Sequence, residues 1–294
     1  MEQSWKQAKA AFGFVLAPPT LWLLLFFLAP MAVIWAYSFG ENVGLTEIDI
    51  SGTFKNYIRA FDPLYLGIFW KSAVTAGITT FLCLVIGFPV AMGIAFASPK
   101  TKAWLLLLIM LPFWINLLIR TYALMAVLRT QGFINTTYEW LWTLVGLSPD
   151  GFTPLELINN NFAVIFGLVY VHLPFMVLPL YSALDRMDRS LMEASLDLGA
   201  GHLRTILMVV VPLAAPGIAS GILITFIPAL GAYLTPDLLG GPDSQMIANV
   251  IERQFKRAND WPFGAALSFL LMYLTFFAIA AQAWVTRRAE RRGG

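Results

Sequence analysis

The sequence predicts an all-α integral membrane protein with six transmembrane helices, and three observations carry that prediction. Of 294 residues, 59% are hydrophobic and only 12% are charged, whereas a soluble domain carries about 25% charged residues. Residues 10–40, 72–99, 157–184, 205–236 and 261–286 contain no Asp, Glu, Lys or Arg, and 103–127 is interrupted only by Arg120. Each of the six exceeds the roughly 20 residues a helix needs to cross a hydrocarbon core. Finally, 105–111 and 267–281 are apolar on every side. Such runs suit helices in lipid, not the alternating strands of a membrane barrel.

The first apolar run follows Lys6 and Lys9, as a secretory signal would. It is too long for one, holds Pro18, Pro19 and Pro30, and shows no clear small-residue cleavage site, so it reads as a retained span. Residues 1–40 therefore form an N-terminal tail and first helix, and 41–71 an external loop. A five-helix core over 72–286 follows, with its longest inner loop at 185–204, and 287–294 is a basic tail. Within the second outer loop, 138–147 includes Trp140 and Trp142 and predicts a short helix at the membrane interface.

Orientation follows from the basic residues. With the N-terminus inside, the short inner pieces hold Lys6, Lys9, Lys100, Lys102, Arg186, Arg189, Arg204, Arg287, Arg288, Arg291 and Arg292, eleven of the nineteen Lys and Arg. The positive-inside rule puts both termini in the cytoplasm.

Proline and glycine punctuate the spans unevenly. The fourth has Pro174 and Pro179, and the fifth has Pro212, Pro216, Pro228 and Pro236 with Gly217, Gly221 and Gly231. Freed carbonyls in lipid need a neighbouring helix or a wet cavity, so these two spans are expected to face one or the other. Gly217 and Gly221 form a GxxxG spacing that admits close helix approach.

Composition also excludes several functions. One cysteine, Cys83, and two histidines are too few for a zinc or iron–sulfur site. A net charge of +2 gives no footprint for nucleic acid. No GxxxxGK[ST] phosphate loop occurs, and no internal inverted repeat of the secondary-transporter kind is evident.

The inner loop reads DRMDRSLMEASLDLGAGHLR from Asp185 to Arg204, then TILMVVVPLAAPG. Leu191, Ala194, Leu198 and Leu203 recur at helical spacing, Glu193 and Asp197 are four apart, and Gly199 and Gly201 interrupt the run. Two short helices joined at a glycine bend are predicted. A helix lying on the membrane surface is the competing reading, but such helices favour Lys and Arg where this one carries Glu193 and Asp197.

The segment resembles the EAA loop of ABC-importer membrane subunits: Glu-Ala-Ala, three residues, Gly, nine residues, then Ile-x-Leu-Pro. Here Glu193, Ala194, Ser195, Gly199, Val209, Val210, Val211 and Pro212 occupy that pattern, with Ser195 and the valines as departures. Over nearly the whole chain the sequence is similar to the PotB/PotH-like permease family of bacterial spermidine/putrescine importers. The segments at 62–65, 111–114 with 118–122, 173–181, 238–241 and 260–264 carry that similarity.

The resemblance implies a type I, MetI-like permease of the bacterial inner membrane. It implies a PotC/PotI-like second permease, two copies of a cytoplasmic ABC ATPase that hold ATP and Mg, and a periplasmic polyamine-binding protein. The chain itself is then a transport subunit without cofactor, metal or catalytic residues, in contact with lipid and not with nucleic acid. The coupling residues implied are Glu193, Ala194, Ser195, Asp197, Gly199, Ala200 and Pro212.

For a polycationic solute, Trp114, Tyr122, Tyr170, Tyr233 and Asp237 are the candidate path residues, as aromatic faces and an acceptor. Each aromatic, taken alone, also reads as packing or interface belt. Asp62, Asp243, Glu252, Arg253 and Asp260 are candidates for docking the binding protein, although exposed loop charges are also commonly just solvated. Arg120 is expected to reach the outer interface and serve an ion pair or docking role, and His172 to be neutral and hydrogen-bonded. The alternatives are the same machine carrying an oxyanion, ferric complex or phosphonate, and an autonomous carrier or channel.

Overall fold

The computed structural model describes residues 9–44, 47–146 and 151–293. Lys6 and the rest of the tail 1–8 lie outside the described residues, as do the side chains of Lys9 and of the basic cluster at 287–292. The chain divides into two units, Met1–Pro63 with Ile251–Tyr273, and Leu64–Val250 with Leu274–Gly294.

Four helical stretches are long and apolar enough to cross a membrane: Phe12–Tyr37, Pro63–Phe96, Asn161–Asp185 and Trp261–Ala283. Two bent pairs, Pro99–Trp114 with Leu117–Leu144 at 95° and His202–Leu213 with Ala215–Leu230 at 71°, bring the number to six where each pair counts as one span. The third and fifth apolar stretches are thus broken, the fifth among the prolines and glycines that punctuate it.

The physical reasons are local. In the third, Pro112 lies in a 3₁₀ turn, Leu111–Trp114. Asn116 then starts a new helix by accepting the Leu118 N–H on Oδ1 at 2.8 Å. In the fifth, Pro212 and Pro216 flank the break at Ala214, as proline's missing N–H and ring demand. Pro174 and Pro179 leave the fourth helix continuous.

The first unit begins with α1 (Lys9–Leu23), a π turn (Leu24–Leu28) and α2 (Ala29–Tyr37). No residue in the apolar window of this span is buried, as expected of a helix that meets lipid or another subunit. A two-residue hairpin, β1 (Glu41–Asn42) with β2 (Ile48–Asp49), and α3 (Lys55–Ala60) follow. Buried Asn56 fixes this loop by donating to the carbonyls of Ser38 at 3.1 Å and Gly40 at 2.8 Å.

The second unit holds α4 (Pro63–Phe96, from Leu64), α5 (Pro99–Met110), α6 (Leu117–Leu128), α7 (Phe133–Leu144) and α8 (Asn161–Asp185). After the loop helices α9 (Ser190–Asp197) and α10 (His202–Thr205) come a π turn (Ile206–Val210), α11 (Val211–Leu213), α12 (Ala215–Leu230) and α13 (Leu234–Leu239). Two last helices, α14 (Ile247–Lys256) and α15 (Trp261–Gly293), run through both units, so the basic segment from Arg287 onward continues α15. The expected interfacial helix is α7, whose Tyr138 and Trp142 make ring contacts with Phe152.

Helix α8 is the hub of the second unit. Met176, Val177, Leu180 and Leu184 pack with Cys83, Ala91, Ile94 and Ala95 of α4 and with Val210 and Ala214. Against α12 the GxxxG spacing does what it predicts. A Cβ on Gly217 would stand 2.5 Å from Ala183 Cβ and 2.9 Å from the Pro179 carbonyl, and one on Gly221 would stand 2.7 Å from Met176 Sδ. At Gly217 only glycine admits that approach, whereas at Gly221 the nearest atom belongs to the flexible Met176 side chain.

Adding a methyl at these positions is therefore expected to destabilise the unit. Gly217→Ala should cost about 1–3 kcal/mol by overpacking, Gly221→Ala less because the Met176 thioether can swing aside, and Gly77→Ala, which meets nothing within 4 Å, should cost nothing. Thermal unfolding in detergent measures the difference. Equal behaviour of all three variants would refute the packing role.

Candidate coupling loop and membrane cavity

The 185–204 loop is built from two helices at a defined bend. Asp188 accepts the Ser190 N–H on Oδ1 at 3.0 Å, and this backbone hydrogen bond holds its carboxyl below the usual range. Its contribution to the start of α9 is present above the ordinary Asp pKa and is lost only as pH falls through the lowered value.

At the other end, Gly199 has φ +83°. Its N–H donates to Leu196 O at 2.9 Å, and the Ala200 N–H donates to Ser195 O at 3.1 Å. Those two bonds make a Schellman motif with Gly199 at C′, the position that needs left-handed backbone. The sequence-predicted glycine bend is therefore present, and Gly201 begins α10 in extended conformation.

Two features absent from the motif hold the loop in place. Ser195 Oγ and Thr205 Oγ1 are 3.0 Å apart, so α9 is tied to α10 through a hydrogen bond to a buried threonine. Arg189 donates from Nη2 to the Ala95 carbonyl at 3.1 Å and lies 5.2 Å over the Phe96 ring. Met187 and Met192 pack on the α4–α8 core, and Lys102 pairs with Asp185 at the foot of α8.

What the loop presents outward is small and apolar. Glu193, Ala194, Asp197 and Gly199 are exposed, and so are Leu198 at 88% and Leu203 at 71%. Ala194, Ser195, Leu198, Gly199, Ala200 and Arg204 share a groove of about 490 Å³. Pro212, the last motif residue, opens α11 behind the π turn. Exposed leucines beside alanines and two carboxylates form a face that nothing covers among the described residues.

A second cavity, about 370 Å³, lies where α8, the α5–α6 bend and the α12–α13 junction meet. Of the five candidate path residues only Tyr233 lines it; Trp114, Tyr122, Tyr170 and Asp237 are exposed elsewhere on the chain. Its aromatic wall comes from Phe113 and Phe175, edge to face at 5.0 Å, which the sequence alone did not single out. His172 and Arg120 also line it.

His172 is buried with Nδ1 2.8 Å from Leu168 O, the hydrogen-bonded state expected. Arg120 differs from expectation. It is 9% exposed, and its Nε and Nη1 are buried without hydrogen-bond partners, so it forms no ion pair among the described residues.

Among the loop acids, Asp260 is already engaged. Oδ2 accepts from Arg59 Nη1 at 2.7 Å, and Oδ1 accepts the Phe263 N–H at 3.3 Å, capping the start of α15. Glu252 pairs with Lys256 at 3.0 Å one helical turn on. Asp62 and Arg253 belong with these two in the first unit, while Asp243 sits exposed in a 3₁₀ turn of the second.

A protein-family model described as binding-protein-dependent transport system inner membrane component matches residues 84–291. The spermidine/putrescine transport system permease protein PotB of Haemophilus influenzae is 38% identical over 273 residues, covering 92% of this chain and 93% of its own. Its counterpart in Escherichia coli K12 is 41% identical over 250 residues, covering 85% and 88%. Among solved structures, a bacterial ABC transporter importing the acidic polysaccharide alginate superposes with TM-score 0.74 at 16% identity, over 97% of this chain and 99% of that one. The alginate ABC transporter in complex with its alginate-bound periplasmic protein gives TM-score 0.72 at 15% identity, over 97% of both. At that identity the likeness establishes the fold, a type I ABC-importer permease.

The bend itself yields a prediction. No atom lies within 4 Å of a Cβ built on Gly199, so a substitution there acts through the backbone alone. Gly199→Ala should cost about 1–2 kcal/mol, Gly199→Val more, and Gly199→Asn least, because asparagine tolerates left-handed backbone. Hydrogen exchange across 195–205 should quicken least for Gly199→Asn, more for Gly199→Ala and most for Gly199→Val. Equal exchange in all three would show that the bend does not depend on its glycine.

Proposed function

The chain belongs to the family of binding-protein-dependent transport system inner membrane components, and from that premise we propose that it translocates polyamines such as spermidine and putrescine. It is a multi-pass inner-membrane permease subunit, and hydrolysis belongs to a separate ATPase subunit. Two copies of that ATPase, holding ATP and Mg, bind the cytoplasmic side. A PotC/PotI-like permease pairs with this chain, and a periplasmic binding protein delivers the solute. Both termini face the cytoplasm, as the basic residues favour.

The exposed 185–204 loop is the observation that carries the coupling role. A lever must be stiff inside and bare outside. Its Schellman bend and the Ser195–Thr205 hydrogen bond supply stiffness, and Ala194, Leu198 and Ala200 leave a shallow apolar face for a groove on the ATPase. Glu193 and Asp197 orient it through charge-assisted hydrogen bonds. ATP binding closes the ATPase dimer, draws the paired loops together and opens the path outward, and hydrolysis resets it, a rigid-body form of alternating access.

Chemistry in the path is mild. Tyr233, Phe113 and Phe175 offer aromatic faces to an ammonium group, and Asp237 is an acceptor beyond them. No acid sits deep in any of the six apolar stretches to trap a polycation. Solute choice therefore rests mainly with the binding protein, which docks on the side of Asp62, Asp243, Glu252, Arg253 and Asp260. One observation favours a second reading, in which the same machine carries an anionic solute such as an oxyanion or phosphonate: the cavity contains Arg120 and no acid.

Reconstitution of the chain with its second permease and ATPase, plus loaded binding protein, separates the readings. Spermidine or putrescine should stimulate ATP hydrolysis and uptake, while the chain alone moves neither. Glu193→Ala removes a charged hydrogen bond of about 1.5–3 kcal/mol, so ATPase docking should weaken roughly tenfold or more while membrane insertion persists. Stimulation by an oxyanion or phosphonate and not by polyamines would establish the second reading. Flux by the single subunit would overturn both.

A further inference from the structure

One charge in the second unit is used by neither the coupling loop nor the polyamine path. Arg120 on α6 is 9% exposed, and two of its guanidinium nitrogens, Nε and Nη1, are buried without partners. A guanidinium is not relieved by losing a proton, so burial leaves it charged. Buried charges persist in a membrane domain when they are paired.

Among the described residues, none supplies a counter-charge at that place. None of the residues lining the cavity is acidic. His172 carries its hydrogen on Nδ1, since only an N–H bonds favourably to the Leu168 carbonyl 2.8 Å away, and an imidazole is neutral or positive in any case. Asp237, three residues beyond Leu234, is exposed and outside the lining. A polyamine is a cation and is repelled.

The walls indicate which anion fits. At about 370 Å³ the cavity is much larger than a monatomic ion, and Phe113, Phe175, Val171 and Leu117 make it mostly apolar. A bare inorganic anion needs several polar donors around it. A carboxylate on a methylene stem satisfies both parts, with its stem against Val171 and Leu117 and its oxygens on the guanidinium at Nη2, the nitrogen that is not closed off.

We propose that Arg120 and this cavity receive an Asp or Glu side chain of the second permease subunit, forming an ion pair buried between the two permeases. The proposal rests on the reading of the chain as one of a permease pair. It gives Arg120 a role in choosing its partner, because a second permease without the acid leaves the guanidinium unpaired.

The test uses the complete importer, with the chain tagged and co-expressed with its second permease and ATPase. Arg120→Glu should lower recovery of the second permease roughly tenfold or more. Replacing one membrane-embedded acid of that subunit by Arg should restore it. A cryo-EM map of the wild-type complex in nanodiscs should show that carboxylate within about 4 Å of Arg120.

Wild-type recovery by both Arg120→Glu and Arg120→Met, the neutral variant of similar length, overturns the proposal. So does a map placing Arg120 against a lipid phosphate, an inorganic ion or an acid of its own chain. Should Arg120→Glu fail to insert, the wild-type map and Arg120→Met decide. If the wild-type chain recovers no second permease, the paired-permease reading fails and takes the proposal with it. Undiminished assembly with Arg120→Glu removes the proposal alone.

Discussion

The close approach of α12 to α8 is the constraint on which the rest of the second unit depends. The proposed coupling loop is the connection between these two helices, so its position is only as fixed as their separation. Gly217 and Gly221 set that separation by leaving room for Ala183, Met176 and the Pro179 carbonyl. In lipid there is no hydrophobic gain from bringing two apolar helices together. Dispersion and backbone proximity must do it, and both fall steeply with distance. Side chains at those two positions would push the helices apart and move the loop with them.

From that foundation the loop inherits its stiffness. A lever that transmits motion has to be bonded more firmly to its own body than to the element that moves it. Met187 and Met192 are embedded in the α4–α8 core, Arg189 reaches the end of α4, and Lys102 grips the foot of α8. The outward face is left with short side chains and two carboxylates, suited to reversible docking. The break in the fifth span belongs to the same arrangement: Pro212 and Pro216 flank Ala214, which is buried in the core, so the loop's return into α12 is bent but anchored.

Much of this was legible in the sequence because it follows from one-dimensional patterns. Charge-free stretches mark the spans, since lipid penalises charge wherever the helix lies. The glycine bend could be read because left-handed backbone selects Gly199 directly, and the GxxxG approach because only glycine allows it. Other features depend on groups brought together from distant segments. Thr205 meets Ser195 only when α9 and α10 fold back, Asp260 meets Arg59 across 201 positions, and Phe113 faces Phe175 from another helix. The breaks at Asn116 and Ala214 were hidden for a different reason: proline permits a helix to continue when neighbours accept its carbonyls, as α8 shows with Pro174 and Pro179, so proline alone does not say which helix yields.

Arg120 joins these strands of reasoning. Counted along a straight helix it lies near the surface and reads as a snorkelling residue, yet the turn at Asn116 sets α6 on another course, and packing against α8 and α13 buries it. A polycation's route through a membrane has to avoid deep wells of either sign. An unpaired acid would hold the solute, and an unpaired base would bar it. An Arg neutralised from outside the chain removes the barrier without creating the well, and it does so only in an assembled pair. By the same logic the lone permease presents a positive cavity that disfavours polyamine entry, so that leak through an unassembled subunit is opposed by the charge that pairing later cancels.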